Sequence, residues 1–132
     1  MHNGLFIDLK CKHCSLSLFC YIKLMFLIVN RFLMGKKFTG ITLWPFIILK
    51  RKELKSDVVL INHEKIHLRQ QLELMIVPFF IWYVIEFFIR LFQFRDRREA
   101  YLNISFEREA YANEKDLDYL KKRSFWRFLK FV

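Results

Sequence analysis

The sequence predicts a mainly α protein, a small helical domain with a short extended segment near residues 38–49. Three observations carry this. Residues 58–77 hold a stretch with a helix-start signal, inward apolar residues and the pattern His63-Glu64-Lys65-Ile66-His67. Residues 79–92 are dominated by aromatic and aliphatic side chains, and residues 99–122 form a third, charged helical stretch. Between Lys36 and Lys50, β-branched and aromatic residues gather around Gly40 and Pro45, which reads as short strands rather than helix.

The 132 residues suffice for one domain and not for two. The chain is 55% hydrophobic with sixteen Phe, yet 27% charged with a formal net charge of +10. A basic, greasy protein of this kind suits the anionic face of a membrane. The expected location is a bacterial inner membrane, with the site on its cytoplasmic side. Nucleic acid is not an expected partner, because the Lys and Arg are dispersed among apolar stretches with no reading motif. Cys11, Cys14 and Cys20 are odd in number and confined to the first twenty residues. That argues against a disulfide scaffold. With His13 they are too compact for a zinc knuckle.

Taken in order, residues 1–34 are an N-terminal apolar anchor or an over-extended start, and residues 35–132 form a single helical domain. Leu16 to Leu33 is apolar but interrupted by Lys23 and Arg31, which predicts a membrane-anchoring or interfacial helix over about 16–33. Met25 and Met34 are alternative starts. Phe38–Leu43 and Phe46–Leu49 are the expected extended pieces, and Lys50 to Lys55 a solvated basic loop.

Ser56 is expected to cap the next helix, with Asp57 in its first turn. That helix carries Val59, Ile66 and Leu74 inward and runs to about Val77, where Pro78 breaks it. Phe79 to Phe92 is expected to be buried or half-embedded in a membrane rather than a true span, with Glu86 and Arg90 paired at i, i+4. Glu99 to about Lys122 is read as one helix, on which Asn103, Glu107 and Tyr111 share a face and Glu109 and Asn113 another. Ala110 and Ala112 would let a second helix approach. The aromatic, basic end from Ser124 to Val132 suits an interfacial anchor or the last helix of the core.

On a helix, His63 and His67 lie one above the other and can point both imidazoles at one metal ion. Glu64 stands at the edge of that face, where it can take a proton from a water at the metal. Two ligands and a general base are the mechanical content of the zinc-protease helix. A third protein ligand is needed.

His63-Glu64-x-x-His67, followed forty residues later by Glu107-Arg108-Glu109-Ala110-Tyr111, resembles the gluzincin metallopeptidases. The nearest are the membrane-associated type that includes CAAX prenyl proteases and the bacterial heat-shock membrane protease. Residues 38–132 are also similar to short bacterial proteins sharing Gly-Ile-Thr-Leu-Trp-Pro-Phe and Phe-Glu-Arg-Glu-Ala-Tyr. The gluzincin resemblance implies a Zn2+ site of His63, His67 and Glu107, with Glu64 activating water for peptide-bond hydrolysis. It departs from the family at Tyr111, which stands where the family has a supporting Asp. Tyr111 is then a candidate catalytic residue, as a donor to the site or an oxyanion stabiliser. Glu109 is the alternative third ligand, and Glu86 a more distant one. The expected partners are a peptide or protein substrate, the membrane, and a second copy or another protein to complete a cleft. The alternative function is a non-catalytic, membrane-associated structural or interaction protein.

Overall fold

A computed structural model describes residues 25–30 and 39–132. The chain is mainly helical, with a small mixed sheet of three strands: β1 (Phe26–Val29), β2 (Gly40–Leu43) and β3 (Phe46–Leu49). The helices are α1 (Val58–Leu74), α2 (Ile76–Phe94), α3 (Arg97–Leu102), α4 (Ser105–Asn113) and α5 (Tyr119–Lys122). Two 3-10 turns, Lys52–Ser56 and Arg127–Phe131, complete it.

The two expected strands are present, and a third joins them from the segment read as an anchor helix. Phe26–Val29 runs parallel to β3, with Phe26 opposite Phe46 and Val29 opposite Leu49. Phe-Leu-Ile-Val is aromatic and β-branched enough to favour a pleated surface, and the neighbouring strand supplies partners for its backbone. The rest of the expected helix over about 16–33, and the cysteines with His13, lie outside the described residues. β2 pairs antiparallel on the other side of β3, with Gly40 opposite Leu49 and Leu43 opposite Phe46. Among the described residues the strand order is therefore β1-β3-β2, with β2 at one edge.

β3 is the hub of the sheet. Its Ile47 and Leu49 are fully buried against Leu68 of α1, with Leu27, Trp44 and Leu60 packed around them. Each such aliphatic side chain contributes about 1.5–3 kcal/mol by leaving water. Gln71 of α1 clips the β2–β3 turn, accepting from the Trp44 N–H at 2.9 Å and donating to the Thr42 carbonyl at 2.9 Å. The sheet is thus pinned beside the His-Glu helix.

Asp57, not Ser56, caps α1: its Oδ1 accepts from the N–H groups of Val59 and Leu60 at 3.1 and 3.0 Å. Ser56 instead ends the preceding 3-10 turn and donates to the Glu53 carbonyl. α1 ends at Leu74, three residues earlier than Pro78 suggests. Met75 takes φ 58°, and α2 begins at Ile76 with Pro78 inside its first turn. An amide is unneeded there, so proline fits.

α2 is paired with the protein along one side and bare along the other. Phe79 is buried with Ile104, Phe106 and Phe128, and the Phe79 and Phe106 rings lie 4.5 Å apart. Glu86 is buried and meets Arg90 at 3.2 Å, as the i, i+4 spacing predicts. Val77, Ile81, Val84, Ile85, Phe88 and Phe92 are exposed, so the reading of α2 as buried in the protein does not hold.

The single helix expected over 99–122 is three. Asn103 leaves helical geometry, Ile104 is extended, and α4 restarts at Ser105. The restart is fixed by Glu86, whose carboxylate accepts from the Ser105 N–H at 2.9 Å and its hydroxyl at 2.6 Å. A carboxylate from another helix thereby serves as the missing cap. Asn103 consequently leaves the face it was expected to share with Glu107. A turn around Asp116 separates α4 from α5. Ala110 is fully buried against Ile66 and Tyr119, but Ala112 is exposed and takes no part in that approach. The C-terminal turn belongs to the core, with Phe128 4.7 Å from Phe106.

Candidate metal centre

α1 buries an unusual set of polar side chains: Asn62, His63, Glu64, His67, Gln70, Gln71 and Glu73 are all buried. Polar groups are placed so deeply where partners or a ligand satisfy them. Asn62 donates to the carbonyls of Glu114 and Asp116, which ties the end of α4 to α1. Because α3 and α4 fold back along α2, Glu107 returns to the two histidines.

His63, His67 and Glu107 are all buried, with one ligand atom from each lying within 4.8 Å of the others, and the group can hold a metal ion. The two Nε2 atoms are 3.0 Å apart. Glu107 Oε2 is 3.4 Å from His63 Nε2 and Oε1 is 3.4 Å from His67 Nε2. Tetrahedral bonds of about 2.0–2.1 Å span about 3.3 Å from ligand to ligand, which these separations match.

The remaining ring nitrogens are already committed. His63 Nδ1 is 2.9 Å from Glu114 Oε2, and His67 Nδ1 is 2.8 Å from Gln70 Oε1. Both partners are acceptors, so each Nδ1 carries a hydrogen and each Nε2 turns a lone pair to the shared point. Glu107 Oε2 is buried and accepts no hydrogen bond from any described residue. Two lone pairs and an unpartnered carboxylate oxygen converging on one point form a site for one positive charge.

The electrostatics agree. Burial pulls the His67 imidazolium down, but Glu107 beside it outweighs that, and its pKa is raised to about 9. Burial pushes Glu107 up, but the two imidazoles more than offset it and hold the carboxyl well below the usual range. Without a metal, a proton on His67 supplies the charge.

Glu64 points toward the sheet edge. Its Oε2 takes a short hydrogen bond from the Thr42 hydroxyl, and Gly40 lies flat against its carboxylate. A Cβ at position 40 would come within 3.0 Å of Glu64 Cδ. A cavity of about 390 Å³ joins this carboxylate to His63, His67 and Glu107, walled by Gly40, Thr42, Phe80, Val84 and Phe87.

Of the other expected site residues, Tyr111 sits at the rim, 45% exposed, with its ring edge-on to His63 at 4.7 Å. Glu109 is turned away. It is buried in an ion pair with Arg123 and hydrogen-bonded by Tyr119, so it does not replace Glu107 as the third ligand. α4 places Glu107 and Glu109 on different faces, and α1 receives the first with its imidazoles and the second with Gln70. Glu86 is likewise committed, to Arg90 and Ser105.

Several site residues escape sequence reasoning. Tyr83 of α2 donates to Glu107 Oε1 at 2.8 Å. Tyr101, its phenol pushed up by burial and by the Glu107 charge, lines the same cavity as Glu107. Gln70 and Glu114 carried a readable signal, at i+3 from His67 and i+7 from Glu107. Tyr83, Tyr101 and Thr42 carried none, because only the fold brings them near. Comparison of the chain with protein-family models, with curated proteins and with solved structures finds no match in any of the three.

Proposed function

We propose that this chain is a membrane-associated zinc metallopeptidase of gluzincin-like design. The observation that carries the reading is the convergence of His63 Nε2, His67 Nε2 and the Glu107 carboxylate, whose Oε2 is 3.4 Å from the first and Oε1 3.4 Å from the second, with each Nδ1 held by another side chain. Two imidazoles and one carboxylate, with room for water, are a catalytic zinc set. Zinc, when bound, supplies a Lewis acid that polarises a peptide carbonyl. Glu64 is the general base, its carboxylate facing the cavity and steadied by Thr42. Tyr83 orients Glu107 by a hydrogen bond.

Membrane association is supported by α2. It is 19 residues long, apolar enough by length and composition to cross a bilayer, and little of it is buried. Glu86 and Arg90 turn inward to each other, leaving the exposed stripe of Ile81, Val84, Ile85, Phe88 and Phe92 without a charge. Since the chain folds back along α2, we read the helix as lying in the interface rather than spanning it.

The deciding experiment is metal analysis of protein purified in detergent without chelator. The expected result is about one zinc per chain, lost in His63→Ala and in Glu107→Ala, with cleavage of a quenched peptide library by the loaded protein. Wild-type protein that takes up no zinc at neutral pH overturns the reading. Zinc uptake with no cleavage of any peptide in the library selects the non-catalytic alternative.

A further inference from the structure

We propose that Gln70, locked by Glu109 and Arg123, is a positioning residue that presents the His67 Nε2 lone pair to the metal. The inference rests on the zinc reading above and assigns a task to a buried polar cluster, Gln70 with Glu109 and Arg123, that this reading leaves unused.

The orientation of the Gln70 amide follows from its surroundings. The side chain is fully buried. Its Nε2 lies 3.2 Å from the Phe106 carbonyl and 3.0 Å from Glu109 Oε2, both of which only accept hydrogen bonds. The amide nitrogen must therefore face them, and Oε1 must face His67 Nδ1 at 2.8 Å. A flipped amide would set an oxygen against a carbonyl and a carboxylate. Because Oε1 accepts, Nδ1 carries the hydrogen and Nε2 is the free lone pair.

Glu109 is itself held from behind. Arg123 Nε and Nη2 reach its carboxylate at 2.5 and 3.1 Å, and the Tyr119 hydroxyl donates to it at 2.8 Å. The same guanidinium makes a short ion pair with Glu73, and these three charged side chains are wholly buried or nearly so. Glu73 also accepts from Arg69 at 3.0 Å and from the Trp126 N–H at 3.2 Å. A line of buried hydrogen bonds thus runs from the metal-facing imidazole to the C-terminal turn. The corresponding partner of His63, Glu114, is a carboxylate with a partly exposed side chain, a looser support.

The test compares the full chain with Gln70→Met, which keeps the volume and removes the amide. Zinc affinity is expected to fall about 10- to 100-fold. In metal-free protein at alkaline pH, long-range nitrogen–proton correlation spectra are expected to show His67 as one Nδ1–H tautomer in the wild type and as a mixture in Gln70→Met. Glu109→Gln leaves His67 untouched but denies Gln70 its carboxylate, and should weaken zinc by the same route. The double variant should lose no more than Gln70→Met alone, since both act through one amide. An unchanged tautomer in Gln70→Met, or losses that multiply in the double variant, overturns the proposal. Should Gln70→Met not fold, the tautomer in Glu109→Gln decides in its place. Wild-type protein that binds no zinc sinks the peptidase reading, while the tautomer comparison still judges this one.

Discussion

His63 Nε2 and His67 Nε2 face each other at 3.0 Å, while Glu114 and Gln70 keep a hydrogen on the opposite nitrogen of each ring. Two lone pairs so close repel unless a cation lies between them. Proton and metal therefore compete for one place.

That competition fixes a pH dependence. His67 is raised from its ordinary 6.5 to about 9 in the metal-free protein. A raised pKa stabilises the fold fully below the unfolded value and is lost as pH climbs through the folded one. Metal-free protein should accordingly lose thermal stability between pH 6.5 and about 9. Glu107 is held below its ordinary 4.5, so its contribution is present above that value and disappears in stronger acid. Zinc affinity should run the other way and rise with pH over the same upper interval. Near neutral pH, calorimetry in two buffers of different ionisation heat should count about one proton released per ion bound. Binding with no proton release contradicts the arrangement.

Glu64→Gln separates binding from chemistry. The amide keeps the shape and contacts neither Nε2 atom's ligand set, so zinc content should stay at the wild-type level. Peptide hydrolysis should drop by about 10²- to 10⁴-fold, the usual worth of a positioned general base. A Glu64→Gln protein that cleaves at the wild-type rate removes Glu64 from the mechanism.

Gly40→Ala probes the same carboxylate from the other side. The added methyl would overlap Glu64 Oε1, and the flexible end of that side chain must swing away. The fold should survive with a melting temperature near that of the wild type. Hydrolysis should fall about 10-fold or more, since catalysis tolerates little misplacement. Equal loss of zinc affinity would show that the methyl disturbs the ligands instead.

Arg123→Met tests the buried charge cluster as a stabilising element. It strands the Glu109 carboxylate without a cation and leaves Glu73 only Arg69. Breaking a buried pair in this way costs about 3–5 kcal/mol, which denaturant unfolding in detergent would register. A cost below about 1 kcal/mol, the range of surface pairs, would mean that water reaches the cluster.

Phe88→Glu places a charge in the middle of the bare stripe of α2, where Phe88 is 59% exposed. Sedimentation with vesicles of anionic lipid should show the wild type bound and the variant largely released, with the helical content of both unchanged. Equal partitioning of the two excludes this face as the lipid contact.

The parts of the fold that could be read beforehand are those set by local pattern. The β-branched residues around Gly40 and Pro45 gave two extended pieces, and the His63/His67 spacing gave two candidate ligands from a single helix. Glu86 and Arg90 met as their spacing requires. What could not be read depends on distant neighbours. Phe26–Val29 is a strand because β3 supplies its partners, and α4 starts at Ser105 because Glu86 reaches across to cap it. Ser56 lost the cap position to Asp57, whose side chain reaches two amides at once. The choice between Glu107 and Glu109 was invisible locally, since both are acids on one short helix. Arg123, fourteen residues beyond Glu109, decides it by claiming that carboxylate for itself.

Glu107 reaches the imidazoles only after the chain has run out along α2 and doubled back beside it. An ion gripped by all three side chains is then a clasp, shutting a hairpin whose two arms have no other covalent tie. Chelation should loosen α4 from α1 before either helix melts, exposing the Asn62 contacts to solvent exchange and the turn after Asn113 to proteases.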